Sequence, residues 1–125
     1  MTKVFVFGNS LIEKDSLALT IAERLRGKVK GVEFEAVESL DEVKNTKEFY
    51  IMDVALGIEK VQMIEDLHKL QTAQPVSLHD FDLAFELKLA KKLGKIGKVK
   101  IIAIPNGYAL DKAVEETRAL ISILP

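Results

Sequence analysis

The chain has 125 residues, of which 48% are hydrophobic, and this predicts a single domain over residues 1–125 with one core. Its 18 basic and 19 acidic residues leave a net charge of −1, so we expect neither nucleic acid nor an anionic membrane as a partner. The absence of cysteine excludes disulfides, thiol catalysis and thiolate metal sites. No apolar stretch reaches the roughly 18 residues of a membrane span, and we expect a soluble, cytoplasmic protein.

The chain opens with a predicted strand followed by a predicted helix. Residues 3–7, KVFVF, are β-branched and aromatic, which predicts a buried strand that ends at Gly8. Residues 16–26 predict a helix, and Gly27 suits its C-cap. The apolar residues of this helix share one face: Leu17, Ala18, Ile21, Ala22 and Leu25.

Three further strands are predicted before residue 65. Residues 31–37, GVEFEAV, alternate apolar with acidic side chains, which indicates a half-exposed strand near a sheet edge. Residues 48–53, EFYIMD, predict a second buried strand that ends at Asp53. Residues 60–64, KVQMI, are a weaker candidate, with the segment before them as a connection.

The second half of the chain alternates helix, strand and helix. Ser77 and Asp80 have the spacing of a capping box and predict the start of a helix of about 14 residues that ends before Gly94. Residues 98–105, KVKIIAIP, predict a buried strand. The last helix has the clearest helical period, in Leu110, Ala113, Val114, Thr117, Leu120, Ile121 and Leu124.

Alternating strands and helices indicate an α/β fold with a mostly parallel sheet covered on both faces. The predicted helix from Asp80 is unusual because apolar residues lie on two opposite sides of it. One row must face the sheet; the other is either covered by neighbouring segments or docks a partner. The two rows are Leu83, Leu87 and Ala90 on one side, and Phe81, Phe85 and Leu89 on the other.

Ligands of open α/β sheets bind beyond the carboxyl ends of the strands. That rule selects three places: the loop after the first strand, with Asn9, Glu13 and Asp15; the strand-end Asp53; and His79. Taken singly, each residue also has a structural explanation. Asp15 suits a helix cap, Asp53 suits a turn, and His79 suits an exposed first helical turn.

Together, Asp15, Asp53 and His79 offer two carboxylates and one imidazole at one edge of the sheet. Such ligands suit a divalent transition metal such as zinc or nickel. A metal held there would polarise a carbonyl or activate a water. The chain contains no HExxH motif of the zinc proteases. It also contains neither GxGxxG nor GxxxxGK[ST], so nucleotide binding has little support.

The loop GNSLIEKDSLA, the strand end YIMD and the segment SLHD resemble the hydrogenase maturation endopeptidases. These enzymes remove the C-terminal extension of the nickel-iron hydrogenase large subunit after nickel insertion. Gly8, Asn9 and Leu11 match the GN-x-L opening of the family's first loop, and the resemblance covers most of the chain. It implies a twisted, mostly parallel five-stranded sheet between helices.

The resemblance also implies roles for individual residues. In that family the corresponding acid, aspartate and histidine bind the metal and serve catalysis, and by position they are Asp15, Asp53 and His79. The nickel would be presented by the hydrogenase large-subunit precursor, with no tightly bound cofactor of the protease itself. Asn9 would shape the loop. An apolar row would dock the precursor, formed by Phe81, Phe85 and Leu89.

The loop departs from the family pattern at three positions. Lys14 stands in place of the first acid of the pair, and Ser16 and Ala18 stand in place of glycines. These departures favour an alternative, a non-catalytic relative of the same fold that binds a hydrogenase or another metalloenzyme subunit as a maturation or scaffold factor. A third candidate is a small-molecule binder that uses the cleft at the strand ends.

Overall fold

The structure, a computed structural model, describes residues 2–7, 17–37, 48–65, 77–78 and 98–123. Its elements, in chain order, are β1 (Thr2–Phe7), α1 (Leu17–Leu25), β2 (Val32–Val37), β3 (Glu48–Leu56), β4 (Gln62–Ile64), β5 (Ser77–Leu78), β6 (Lys98–Pro105) and α2 (Leu110–Ser122).

Four parallel strands form the body of the sheet, in the order β2-β1-β3-β6. β4 extends the sheet beyond β6 and pairs with it antiparallel. The two residues of β5 pair antiparallel with the end of β3. The predicted α/β class and the mostly parallel sheet are therefore confirmed. β2 lies at one end of this order, as its half-exposed sequence pattern predicts.

α1 follows its predicted apolar period closely. Its buried residues are all on the predicted face: Ala18, Ile21, Ala22 and Leu25. Gly27 has a φ of 77°, a left-handed conformation that favours glycine, and it ends the helix as the sequence predicts. The backbone N–H of Lys28 donates to the carbonyl of Leu25 at 2.9 Å, which satisfies a carbonyl at the helix end.

α2 also confirms its period over the described residues. Three of its predicted apolar-face residues, Ala113, Thr117 and Ile121, are buried, while Leu124 lies outside the described residues. The helix begins after Ala109, which makes no side-chain capping bond. Because no side chain caps the N-terminus, the packing of the apolar stripe against the sheet is the main source of stability for this helix.

Both described helices pack on one face of the sheet. Val6, Met52 and Ile102 lie side by side on that face, and none of them is exposed to solvent. The centre of the opposite face is also buried. Ile51 and Ile101 are paired neighbours there, and both are fully buried.

Two predicted boundaries differ from the structure. The sequence predicts that the strand from Glu48 ends at Asp53, but β3 continues to Leu56. The prediction is wrong by three residues because Val54 and Ala55 pair with β6 and are buried in the sheet. The candidate strand at 60–64 forms only as the three residues of β4.

The segment that contains the predicted capping box contributes a short strand. Ser77 and Leu78 form β5 beside β3, a pairing that the sequence does not predict. The helix predicted from Asp80 lies outside the described residues.

Candidate functional site

Asp53 is the predicted metal ligand that the structure describes. Asp15 and His79 lie outside the described residues, and so do the predicted substrate or partner contacts, Asn9, Phe81, Phe85 and Leu89. The convergence of the three predicted ligands therefore stays a prediction.

Asp53 lies within a central strand of the sheet. β3 runs between β1 and β6, and Asp53 pairs in register with Ala103. Its side chain is on the face opposite the two described helices, because Met52 and Val54 on either side of it belong to the helix-covered core. Only 4% of Asp53 is exposed. A buried carboxylate is costly unless hydrogen bonds, an opposite charge or a metal compensate it, so such a position indicates a specific role.

The order of the strands has a switch point between the ends of β1 and β3. From β1 the chain passes through α1 to β2 on one side, whereas β3 lies on the other side of β1. In open α/β sheets, ligands bind at this kind of switch in strand order, beyond the carboxyl ends of the strands. The segment that contains Asp15 joins the end of β1 to the start of α1, and Asp53 lies in the last half of β3.

β5 brings a third segment of the chain to the same end of β3. Leu78 pairs with Ala55, which is two residues beyond Asp53 and on the same face of the strand. His79 directly follows Leu78 in the sequence. The chain therefore reaches the end of β3 one residue before the predicted histidine ligand.

A second polar site lies beyond the carboxyl ends of β3 and β6. It is a cleft of about 670 Å³, which we call the Tyr108 cleft. Its walls come from the segment after β3, from the start of β4 and from the first turns of α2. The polar residues that line it are two acids, two lysines, a glutamine and a tyrosine: Glu59, Glu116, Lys60, Lys112, Gln62 and Tyr108.

Hydrogen bonds hold Glu116 in place on the helix wall of this cleft. The hydroxyl of Tyr108 donates to Oε2 at 2.7 Å, and the backbone N–H of Val61 donates to Oε1 at 3.2 Å. The bond from Tyr108 contributes most to lowering the pKa of Glu116. Loss of solvation raises the pKa of Tyr108, and its hydrogen bond to Glu116 raises it further.

The Tyr108 cleft is not among the sites that the strand-end rule predicts, although the chain contains a signal for it. Tyr108, Lys112 and Glu116 are spaced four residues apart where α2 begins, and this spacing places side chains on one side of a helix. The ammonium of Lys112 lies 5.1 Å from the centre of the Tyr108 ring. The contact to Val61 has no local signal, because 55 residues separate it from Glu116.

Within the part of the chain that the structure describes, no group of three His, Asp or Glu side chains is close enough to hold a metal ion. No helix in that part combines the length and the apolar character needed to cross a membrane. The chain matches no family model, no curated protein and no solved structure.

Proposed function

We propose that this protein is an endopeptidase that removes the C-terminal extension of a nickel-iron hydrogenase large-subunit precursor after nickel insertion. The proposal starts from the loop GNSLIEKDSLA and the segments YIMD and SLHD, which resemble the corresponding motifs of hydrogenase maturation endopeptidases. The observation that supports it best is the buried carboxylate of Asp53 on a central strand, beside the switch point between β1 and β3.

The topology of the sheet supports a shared site for the three proposed ligands. Asp15 lies in the connection between β1 and α1. His79 follows Leu78, which pairs with Ala55, two residues beyond Asp53 on β3. Each segment therefore begins or ends at the carboxyl edge of β1 or β3. In this proposal, Asp15, Asp53 and His79 meet at the switch point between β1 and β3.

The proposed ligands suit nickel that is delivered as part of the substrate. Two carboxylates and one imidazole without a thiolate make a weak site for free metal, which the precursor's own ligands would complete. The charge of a divalent ion would also offset the burial of Asp53, of which 4% is exposed. Nickel in this position would polarise the scissile carbonyl. Asp53 would hold its carboxylate in a fixed orientation, because it extends from a paired strand rather than from a loop.

The proposed function implies an overall architecture for the domain. We propose a single domain over residues 1–125, in which the sheet is twisted and lies between helices on both faces. The burial of Ile51 and Ile101, on the face opposite α1 and α2, supports a covered second face. We further propose that the protein acts in the cytoplasm, with the large-subunit precursor as its partner and with Asn9, Phe81, Phe85 and Leu89 contacting it.

The second candidate is a non-catalytic relative of the same fold that binds a metalloenzyme subunit as a maturation or scaffold factor. Lys14 favours it, because a positive charge beside the site would weaken metal binding. Ala18 favours it less than the sequence alone indicates. Ala18 lies within α1 and is fully buried. Its methyl group packs in the core, and the helical backbone at this position does not require glycine. The remaining departures of the loop are therefore Lys14 and Ser16.

A cleavage assay separates the two candidates. The protein is incubated with a nickel-loaded large-subunit precursor, and the C-terminal fragment is identified by mass spectrometry, with the nickel-free precursor as control. The proposed peptidase releases the fragment from the nickel-loaded precursor and leaves the nickel-free precursor intact. Stable binding without cleavage would support the non-catalytic candidate instead. The absence of both binding and cleavage would refute both candidates.

A further inference from the structure

We infer that Asn106 is a site of spontaneous deamidation, a covalent modification that converts its side-chain amide to a carboxylate. Asn106 lies in the turn between β6 and α2. It is one of three asparagines, and it is followed by glycine, whereas Asn9 and Asn45 are followed by Ser10 and Thr46. Because glycine has no Cβ, its backbone nitrogen can approach the preceding side chain closely. The inference is independent of the proposed peptidase activity, since it involves neither metal nor substrate.

The reaction proceeds through a cyclic imide, with water as the only co-reactant. The backbone nitrogen of Gly107 loses its proton to a base in the solvent and attacks Cγ of Asn106. The new carbon–nitrogen bond closes a succinimide ring, the bond from Cγ to Nδ2 breaks, and Nδ2 takes up the released proton and leaves as ammonia. Water then opens the ring at either carbonyl. Opening at Cγ gives aspartate, whereas opening at the backbone carbonyl gives isoaspartate, in which the main chain is one atom longer.

The geometry of the turn leaves the attacking nitrogen available. The backbone N–H of Tyr108 donates to the carbonyl of Pro105 at 3.2 Å and closes the turn, with Asn106 and Gly107 at its centre. Gly107 has a φ of 74°, as the third residue of a type II turn requires. The N–H of Asn106 donates to the carbonyl of Ala55, but within the described part of the chain the N–H of Gly107 makes no hydrogen bond. Its nitrogen can therefore react without first breaking a bond.

The surroundings of the turn give water and base access to the reacting atoms. Asn106 and Gly107 are both exposed. A Cβ placed on Gly107 would meet no atom within 4 Å, so the space beside this residue is open. The 3.2 Å bond that closes the turn is at the long end of the range for backbone hydrogen bonds. Opening it costs little, and the backbone of Asn106 can then rotate toward the geometry of the ring.

Isoaspartate at position 106 would disturb the contacts that follow the turn. Pro105 ends β6, and three residues later the hydroxyl of Tyr108 donates to Glu116 at 2.7 Å. An additional main-chain atom changes the spacing between Pro105 and Tyr108, so that this hydrogen bond cannot keep its geometry. Aspartate adds the same negative charge but keeps the normal length of the main chain. The isoaspartyl form is therefore expected to be less stable than the aspartyl form.

Mass spectrometry of the full-length protein tests the modification. The protein is incubated at pH 6 and at pH 9, circular dichroism checks that it stays folded, and trypsin then releases residues 101–112 by cleavage after Lys100 and Lys112. This peptide should gain the mass difference between an amide and an acid, faster at pH 9, because the attacking nitrogen must lose a proton. In water enriched in ¹⁸O the new carboxylate should carry the heavy oxygen, and fragmentation should identify isoaspartate. A sample digested without incubation corrects for reaction during digestion.

Matched controls separate the role of the glycine from that of the added charge. The peptides that contain Asn9 and Asn45 should stay unmodified over the same period, since a side chain follows each asparagine. Asn106→Gln should abolish the modification of residues 101–112, because glutamine would have to close a larger ring. Asn106→Asp carries the charge of the product on a main chain of normal length. The isoaspartyl form of the wild type, separated by chromatography, should unfold at a lower urea concentration than Asn106→Asp.

Each result supports or overturns the inference. An unmodified peptide 101–112 from the folded, incubated wild type overturns it. Aspartate without isoaspartate overturns the succinimide route, because direct hydrolysis of the amide leaves the main chain unchanged. Equal rates at Asn106, Asn9 and Asn45 overturn the role of Gly107. These comparisons use wild-type peptides and require no variant to fold. An isoaspartyl form as stable as Asn106→Asp overturns the effect on the contacts that follow the turn.

Discussion

The hydroxyl of Tyr108 donates a 2.7 Å hydrogen bond to Oε2 of Glu116, and this bond joins the loop after β6 to α2. The other oxygen of Glu116 accepts from the backbone N–H of Val61, just before β4. One glutamate therefore links α2 to two connections at the carboxyl edge of the sheet. We call this set of contacts the Glu116 bridge.

The Glu116 bridge should contribute to stability. Glu116→Gln removes the charge that strengthens both hydrogen bonds, so we expect a lower free energy of unfolding in urea at pH 7. Glu115→Gln is the matched control on the same helix, because Glu115 pairs with Arg118 at the exposed surface, where ion pairs contribute little. An equal effect of the two substitutions would show that the bridge does not stabilise the fold.

The same bridge should make stability depend on pH at both extremes. The pKa of Glu116 is lowered from 4.5, so its contribution is present above pH 4.5 and is lost as the pH falls through the lowered value. The pKa of Tyr108 is raised from 10.0, so its contribution is present below pH 10.0 and is lost as the pH rises through the raised value.

The difference in unfolding free energy between the wild type and Tyr108→Phe, which lacks the hydroxyl, measures this dependence. We expect the difference to be constant around neutral pH and to shrink in acid and in alkali. Because both side chains are partly exposed, added salt should reduce the difference as well. A difference that stays constant down to pH 3 would contradict the role of the Glu116 carboxylate.

Two isoleucines at the end of the chain's last helix should differ sharply in their contribution to stability. Ile121 is 1% exposed and packs in the core, whereas Ile123 is 76% exposed. Ile121→Ala should lower the free energy of unfolding by about 2–5 kcal/mol, since it removes buried methyl groups and leaves a cavity. Ile123→Ala should change it by less than about 0.5 kcal/mol. Urea unfolding of both variants tests the burial of this helix face.

Gly27 should be sensitive to substitution for a backbone reason alone. A Cβ at this position meets no atom within 4 Å, so steric overlap with neighbours is not the cause. Its φ of +77° is unfavourable for other residues, and Gly27→Ala should lower the free energy of unfolding by about 1 kcal/mol. Gly27→Asn should lower it less, because asparagine adopts this conformation more readily. A higher unfolding temperature for Gly27→Ala than for Gly27→Asn would contradict the left-handed C-cap.

Asp53 should be required for the proposed cleavage of the large-subunit precursor. Asp53→Asn keeps the shape of the side chain but removes its charge, and we expect the cleavage rate to fall about 100-fold or more. Asp111→Asn, in a side chain that is 96% exposed on α2, is the matched control and should cleave at the wild-type rate. Circular dichroism of both variants checks the fold. Full activity of a folded Asp53→Asn protein would exclude Asp53 from the site.

The elements with a regular period could be predicted well from the sequence. The buried residues of α1 and α2 all belong to the faces that their apolar spacing indicates, because a helix that packs on a sheet must direct one stripe toward it. The end of β3 was placed three residues too early. Asp53 reads as a strand end in the sequence, yet pairing of Val54 and Ala55 with β6 continues the strand beyond it.

The candidate site was predictable only in part. Asp53 was identified from the sequence, and its burial in the centre of the sheet is a finding of the structure. The antiparallel pairing of Leu78 with Ala55, which brings the chain to the end of β3, has no local signal. The bond between Val61 and Glu116 has none either, because a contact across 55 residues depends on how separate elements pack.

The sequence by itself determined the positions of β1, β2, β6, α1 and α2, the apolar faces of the two helices, and the glycine that ends α1. These properties depend on side-chain periodicity and on the backbone preferences of neighbouring residues, both of which are local. Only the tertiary structure decided the order of the strands, the antiparallel pairing of β4 with β6 and of β5 with β3, and the hydrogen bonds that join Tyr108 and Val61 to Glu116. Those features arise because elements that are distant in the chain bury their apolar faces together, so they depend on the packing of the whole core.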